Sequence, residues 1–478
     1  MTRERRERYI PKRMLFANHA ENGRKTFCGG WNARCSLTRR ILIKRGVKLM
    51  IRRLLILIFA VGLLASCTPA PNNSNTTANI NAAPAPSAAP SPAESTPAQA
   101  SAQITLPLLD ALFTDEKFVS GLKSRVKLTD QQIDSLKRVS NEEIGRLQAA
   151  NAEDLDDSSG NARERASEQL NHILGEQKAR ELTSYANDYW SKGDQSEGTA
   201  GGPEMLKGPN AVPTDTRVVV NIPAFRMDLF QDGSLVKTYQ VGIGYPDFPL
   251  PQGLRKASTI IFNPTWTPPD SPWVAKMKNI TPGETVEAGS KLNPLGPIKI
   301  PIGPPSLIHG GKAAARIGKF ASHGCVGLTN NQIRDFALLL GKASGTELSD
   351  TTLAGYLEDK EETKTLKLSQ PVPVELRYET IVLEDGKLHI YKDVYNQNTN
   401  TEEKLRSVLE ANGVKFEDLS EQQRTEILDA LTGKAKPKKG QKEFVIDLTG
   451  LSAKGYPAPV NLDKGTGKPA TDKRRSAD

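Results

Sequence analysis

At Arg217 the hydrophobic period of this chain changes, and no single regular element can serve both sides of the change. Upstream, Ile133, Leu136, Val139, Ile144 and Leu147 recur at near-helical spacing. They follow Leu128-Thr129-Asp130-Gln131-Gln132, where Thr129 is the N-cap and Gln132, three residues on, completes a capping box. A second helix is predicted from 162 through 190. Downstream of Arg217 apolar residues alternate, which predicts strands at 218–222, 227–230 and 235–241, the last two joined by the turn Gln231-Asp232-Gly233-Ser234. Prolines crowd the stretch 246–305, excluding long helices and predicting loops that shape a cleft. A short helix is expected at 332–340, strands at 372–378 and 381–391, and helix again over 402–433. The expected fold class is α+β, a helical N-terminal region followed by a mainly β domain.

At 478 residues there is room for two or three domains. The net charge of +9 suggests a nucleic-acid partner, but its distribution excludes one. Residues 1–66 carry 16 Lys+Arg against 3 Asp+Glu, which leaves 48 basic and 52 acidic side chains elsewhere. Met50-Ile51-Arg52-Arg53 and the twelve apolar residues 54–65 read as a signal peptide, since so short a run cannot span a bilayer. Residues 1–49 then read as an over-extended start. The segment ends Leu64-Ala65-Ser66-Cys67, which resembles the bacterial lipobox. That resemblance implies a diacylglycerol on Cys67, attachment to a membrane through that lipid, and a periplasm-facing place in the cell envelope. Thr68 rather than aspartate follows, which resembles outer-membrane sorting where a cell has two membranes.

Residues 67–103 are Pro, Ala, Ser, Thr and Asn with almost no charge, an extended tether behind Cys67. At about 3 Å per residue it would reach on the order of 100 Å. The helical region is expected over 104–196, the β domain over 214–395, a helical extension over 396–453 and a disordered tail over 454–478.

The chemistry concentrates in Ser322-His323-Gly324-Cys325 and in His309, within a chain of only five histidines and four cysteines. A cysteine is a nucleophile as thiolate, and an imidazole in reach supplies the base that makes it one. Gly324, without a Cβ, can turn backbone amides near Cys325 toward a developing oxyanion. A buried structural cysteine, or a metal site of His309, His323 and Cys325, would use the same residues, although no Cys-x-x-Cys completes a four-ligand set. After loss of residues 1–66 the thiols left would be Cys67, consumed by lipid, and Cys325. A lone thiol in an exported chain reads as a working group.

These residues resemble the L,D-transpeptidases of the YkuD type, whose signature is His-Gly, a gap in the mid-teens, then Ser/Thr-His-Gly-Cys. His309 and Cys325 are sixteen apart, and the likeness extends over about 214–395. It includes Asn263-Pro264-Thr265-Trp266-Thr267-Pro268-Pro269 and Asn293-Pro294-Leu295-Gly296. The resemblance implies that Cys325 is the nucleophile and His309 its base, with the Gly310 carbonyl orienting a ring. It places His323 beside the thiolate, and the amides of His323, Gly324 and Cys325, with Ser322 nearby, in an oxyanion site. It implies peptidoglycan stem peptides as partners, release of D-Ala from a tetrapeptide, and a thioester resolved by an amine. The acceptor is left open between a second stem, an acceptor lipoprotein and water, and neither metal nor cofactor is implied. A silent peptidoglycan binder is the alternative reading.

Two departures stand out: Gly327 where many members carry arginine, and Leu250-Pro251-Gln252-Gly253 where Thr-Pro-x-Gly is common. Residues 104–195 faintly resemble the Leu-Thr-x-x-Gln repeats of Spy-like periplasmic proteins, and read as a helical spacer or partner-docking module. His172 is expected at the surface, and Trp266 and Trp273 are expected to pack beneath the loops.

Overall fold

The computed structural model describes residues 104–149, 158–192, 204–275, 277–435, 437, 441–451 and 455–466. The expected over-extended start, signal peptide, Cys67 lipidation and tether lie outside the described residues. The fold is α+β, as expected.

The helical region comprises α1 (Leu106–Phe113), α2 (Glu116–Ser124), α3 (Asp130–Ala149), α4 (Ser158–Leu174) and α5 (Glu176–Lys192). The capping box before α3 is present, Gln132 N lying 3.2 Å from Thr129 Oγ1 and Thr129 N 3.0 Å from Gln132 Oε1. The single helix expected over 162–190 is two helices, α4 and α5. Gly175 separates them with φ +76°, a left-handed conformation that ends α4 and that glycine adopts without penalty. Leu109, Leu112, Phe118, Leu122, Leu136, Leu182 and Trp190 form the core of this region. His172 is exposed.

The second region contains β1 (Arg217–Asn221), β2 (Arg226–Gln231), β3 (Ser234–Gln240), β4 (Ile243–Gly244), β5 (Gly253–Phe262), α6 (Pro272–Ala275), β6 (Ile298–Pro301), β7 (Leu307–His309), β8 (Phe320–Ser322) and β9 (Val326–Gly327). After these come α7 (Asn330–Ala343), α8 (Asp350–Glu358), β10 (Lys364–Arg377), β11 (Ile381–Glu384) and β12 (Lys387–Tyr391). The chain continues with α9 (Glu402–Ala411), α10 (Glu421–Leu431) and β13 (Glu443–Asp447). The main sheet has eight strands in the order β3-β2-β1-β10-β5-β6-β7-β9. Its β2–β3 hairpin turns through Asp232 (φ +49°) and Gly233 (φ +78°), the paired positive angles that match the twist of two strands. β5 lies within the stretch expected to be loops. Its ten residues contain no proline; Pro249 and Pro251 precede it and Pro264 follows, so every β5 amide can donate, and β5 pairs with β10 on both sides of one register shift.

The extension expected to be helical is mixed. β13 joins β11 and β12 in a three-stranded sheet, and α9 and α10 bury Leu405, Leu409 and Ile427 against Leu383 and Leu388. The tail expected to be disordered is ordered across 455–466. Tyr456 is buried, and the amides of Thr238 and Gln240 on β3 donate to Val460 O and Asp463 O at 2.9 and 2.8 Å. β3 is an edge strand of the main sheet, so its outward amides need a partner, and the tail supplies one. Residues 467–478 lie outside the described residues.

The helical region packs on the β domain. Thr105 Oγ1 donates to Asp247 O at 2.6 Å, and Ile144 of α3 is fully buried against Tyr245 and Phe248.

Candidate active site

β7 and β9 are parallel neighbours with His309 opposite Gly327. Opposed residues share a face, as do residues two apart on one strand, so Cys325, just ahead of β9, faces the same way as His309. Between β8 and β9 the chain turns at Gly324, whose φ of +94° excludes most side chains. Ser322 holds that turn from both sides, its hydroxyl donating to Cys325 O at 2.5 Å and accepting from Cys325 N at 3.0 Å. The Cys325 amide is therefore engaged and is not the oxyanion donor expected of it, whereas the Gly324 amide donates to no group among the described residues.

The His309 turn is held from below. Asn330, at the start of α7, accepts the Gly311 amide at 2.8 Å. Gly296 of the Asn293-Pro294-Leu295-Gly296 segment lies so close that a Cβ there would stand 2.3 Å from Gly311 N. His309 Nδ1 is 2.7 Å from Gly310 O. A carbonyl only accepts, so this nitrogen carries the proton of the neutral ring and Nε2 keeps its lone pair.

Burial is the main force on the titrations. It pushes His309 down to about 3, with the Lys312 ammonium adding to it and the backbone of Gly310 and Leu295 opposing. Burial and then Lys312 hold His323 at about 3 as well. The half-buried Cys325 thiol is pushed up by desolvation, against the Leu307 backbone and the Lys312 charge. His323, expected beside the thiolate, is thus neutral at neutral pH. It is caged, stacked on Trp273 at 4.3 Å with 8° between planes and edge-on to Phe248 at 4.5 Å.

The cation acting on the thiol is Lys312, three residues past His309. A Cβ on Gly327 would lie 2.7 Å from Lys312 Cγ, so the lysine stem fills the space beside that glycine. The sequence reading stopped at His309-Gly310-Gly311 and missed this residue. It also placed Trp266 and Trp273 under the loops, whereas both line the cleft.

That cleft is about 930 Å³ and contains His309, Lys312, Ser322, His323 and Cys325 together with Asp110, Ala111 and Thr114 of the helical region. A second cavity, about 630 Å³, includes Arg226, Glu384 and His389 and none of these groups. Among the described residues no set of three or more His, Cys, Asp or Glu side chains is placed to hold a metal ion.

Residues 215–348 match the model of the YkuD family, described as the L,D-transpeptidase catalytic domain. The chain therefore carries a YkuD-type catalytic domain. YqjB of Bacillus subtilis (strain 168), named as a candidate L,D-transpeptidase, is 26% identical over 174 residues, 35% of this chain and 90% of YqjB. The catalytic domain of an E. faecium L,D-transpeptidase is 16% identical with a TM-score of 0.22, covering 35% of this chain and 100% of that one. An L,D-transpeptidase from Mycobacterium smegmatis is 14% identical with a TM-score of 0.21, over 34% of this chain. The match spans 58% of the Mycobacterium smegmatis chain.

Proposed function

We propose that this protein is a cysteine-dependent L,D-transpeptidase acting on peptidoglycan tetrapeptide stems in cell-wall biogenesis. The observation that carries the proposal is the half-buried Cys325 thiol on the same face as a neutral, tautomer-fixed His309, in a cleft where Lys312 supplies the positive charge.

The pair rests as thiol and imidazole. As the stem carbonyl is attacked, the thiol proton passes to His309 Nε2 and the C–S bond forms, while the Gly324 amide is open to the oxyanion. Collapse breaks the C–N bond, the imidazolium returns its proton to the departing D-Ala amine, and a thioester remains. An acceptor amine then attacks the thioester carbonyl, the C–N bond forming as the C–S bond breaks, and the amine proton passes to the leaving sulfur to restore the thiol. With water as acceptor the net reaction is removal of D-Ala.

The test is mass spectrometry of the protein after incubation with a tetrapeptide muropeptide or a carbapenem. Wild type is expected to gain a covalent adduct, and Cys325→Ala to gain none while keeping its thermal unfolding transition. Equal adducts on both proteins would sink the mechanism. Retention of intact muropeptide without an adduct on either would leave a peptidoglycan binder.

A further inference from the structure

The reacting groups lie on the β domain, yet the helical region lines the same cleft through Asp110, Ala111 and Thr114 of α1 and the residue after it. Asp110 is the one charged group on that wall. It is 7% exposed, lines the cleft, and makes no ion pair among the described residues. Its side-chain hydrogen bond is to the neutral hydroxyl of Ser271, which leaves the buried carboxylate without a countercharge among the described residues. Burial, with Asp270 adding to it, pushes its pKa up to about 6 against the effect of Ser271, so at neutral pH the charge is largely present.

Its surroundings lead to the thiol. Ser271 stands next to Asp110 and begins the loop into α6, whose Trp273 stacks on His323, two residues from Cys325. The β domain lines the same cleft with Lys299 and Lys312, whose pKa values burial lowers. The cleft is therefore polarised. Its β-domain side suits substrate carboxylates, and its helical side suits a cation.

We propose that Asp110 binds the ammonium of the amine acceptor, making the helical region the acceptor-side wall of the cleft. This rests on the transpeptidase reading above and deepens it by assigning an amine-bearing acceptor over water. The acceptor enters as an ammonium held by Asp110 and gives one proton to solvent water. The free amine then attacks the thioester carbonyl. The C–N bond forms as the C–S bond breaks, and the second amine proton passes to the leaving sulfur. Asp110 touches the acceptor and not the donor carbonyl, so its effect appears in how the acyl-enzyme partitions.

The experiment measures the ratio of transpeptidation product to hydrolysed product at a fixed concentration of a diamino-acid amine acceptor, in the full chain. Loss of one charge-assisted contact is expected to lower that ratio at least about tenfold in Asp110→Asn, through a higher acceptor KM. Asp110→Glu, which keeps the charge, is expected to stay within about threefold of wild type. An unchanged ratio in Asp110→Asn overturns the assignment. An equal fall in Asp110→Glu also overturns it, because packing would then be the cause. If wild type forms no thioester at all, the transpeptidase reading itself has failed, a result distinct from either.

Discussion

The two walls of the cleft are built differently. The β-domain wall takes Cys325, His309 and Lys312 from one short stretch, and strand register aligns them: β7 beside β9, with His309 opposite Gly327. The helical wall takes Asp110 from far upstream and holds it by contacts between the two regions, with Ile144 buried against Tyr245 and Phe248 and Thr105 hydrogen-bonded to Asp247. Backbone pairing sets the face that the candidate reacting groups share. Packing of one region on another places the recognition group, and packing is the easier of the two to change without losing the fold.

The comparison breaks most sharply at His309. His309→Gln is expected to slow thioester formation by about 10²–10⁴, the usual worth of a positioned base, measured as the rate of adduct formation with a carbapenem. A similar loss of thioester formation in Asp110→Asn would erase the distinction between the walls.

A second test acts on the packing alone. Ile144 is fully buried, so Ile144→Ala is expected to cost about 2–5 kcal/mol, read as a lower unfolding midpoint. Because Ile144 supports the aromatic residues around His323, this variant is also expected to weaken discrimination between amine and water. Full stability with unchanged partitioning would mean that the helical wall is not needed.

The smallest expected effect sharpens the β-domain wall. Lys312 lowers the Cys325 pKa, so removing its charge raises it. Below that pKa each unit of increase cuts the thiolate fraction about tenfold. The pH profile of iodoacetamide alkylation in Lys312→Met is expected to shift toward higher pH, with alkylation at neutral pH slower by up to about tenfold. A shift in the opposite direction would assign the controlling charge elsewhere.

Legibility in the sequence followed the range of the interactions. The Thr129 capping box and the Asp232-Gly233 turn were readable because each involves residues within three positions. The break at Gly175 was equally local and was missed because apolar spacing continued across it. β5 was hidden by prolines that flank it without interrupting it. The ordering of 455–466 had no signature of its own, since it depends on the unpaired edge of β3.

By itself the sequence picked out the candidate reacting groups and their spacing, His309 and Ser322-His323-Gly324-Cys325, because thiol, imidazole and a glycine-permitted turn are properties of residue type and short range. Tertiary structure alone decided their charge states and their surroundings. Burial holds both histidines neutral, the Ser322 hydroxyl engages the Cys325 amide, and the Lys312 stem fills the space beside Gly327. It also brought Asp110 into the cleft. Desolvation and contact between distant segments exist only once the chain is packed, so no local pattern could announce them.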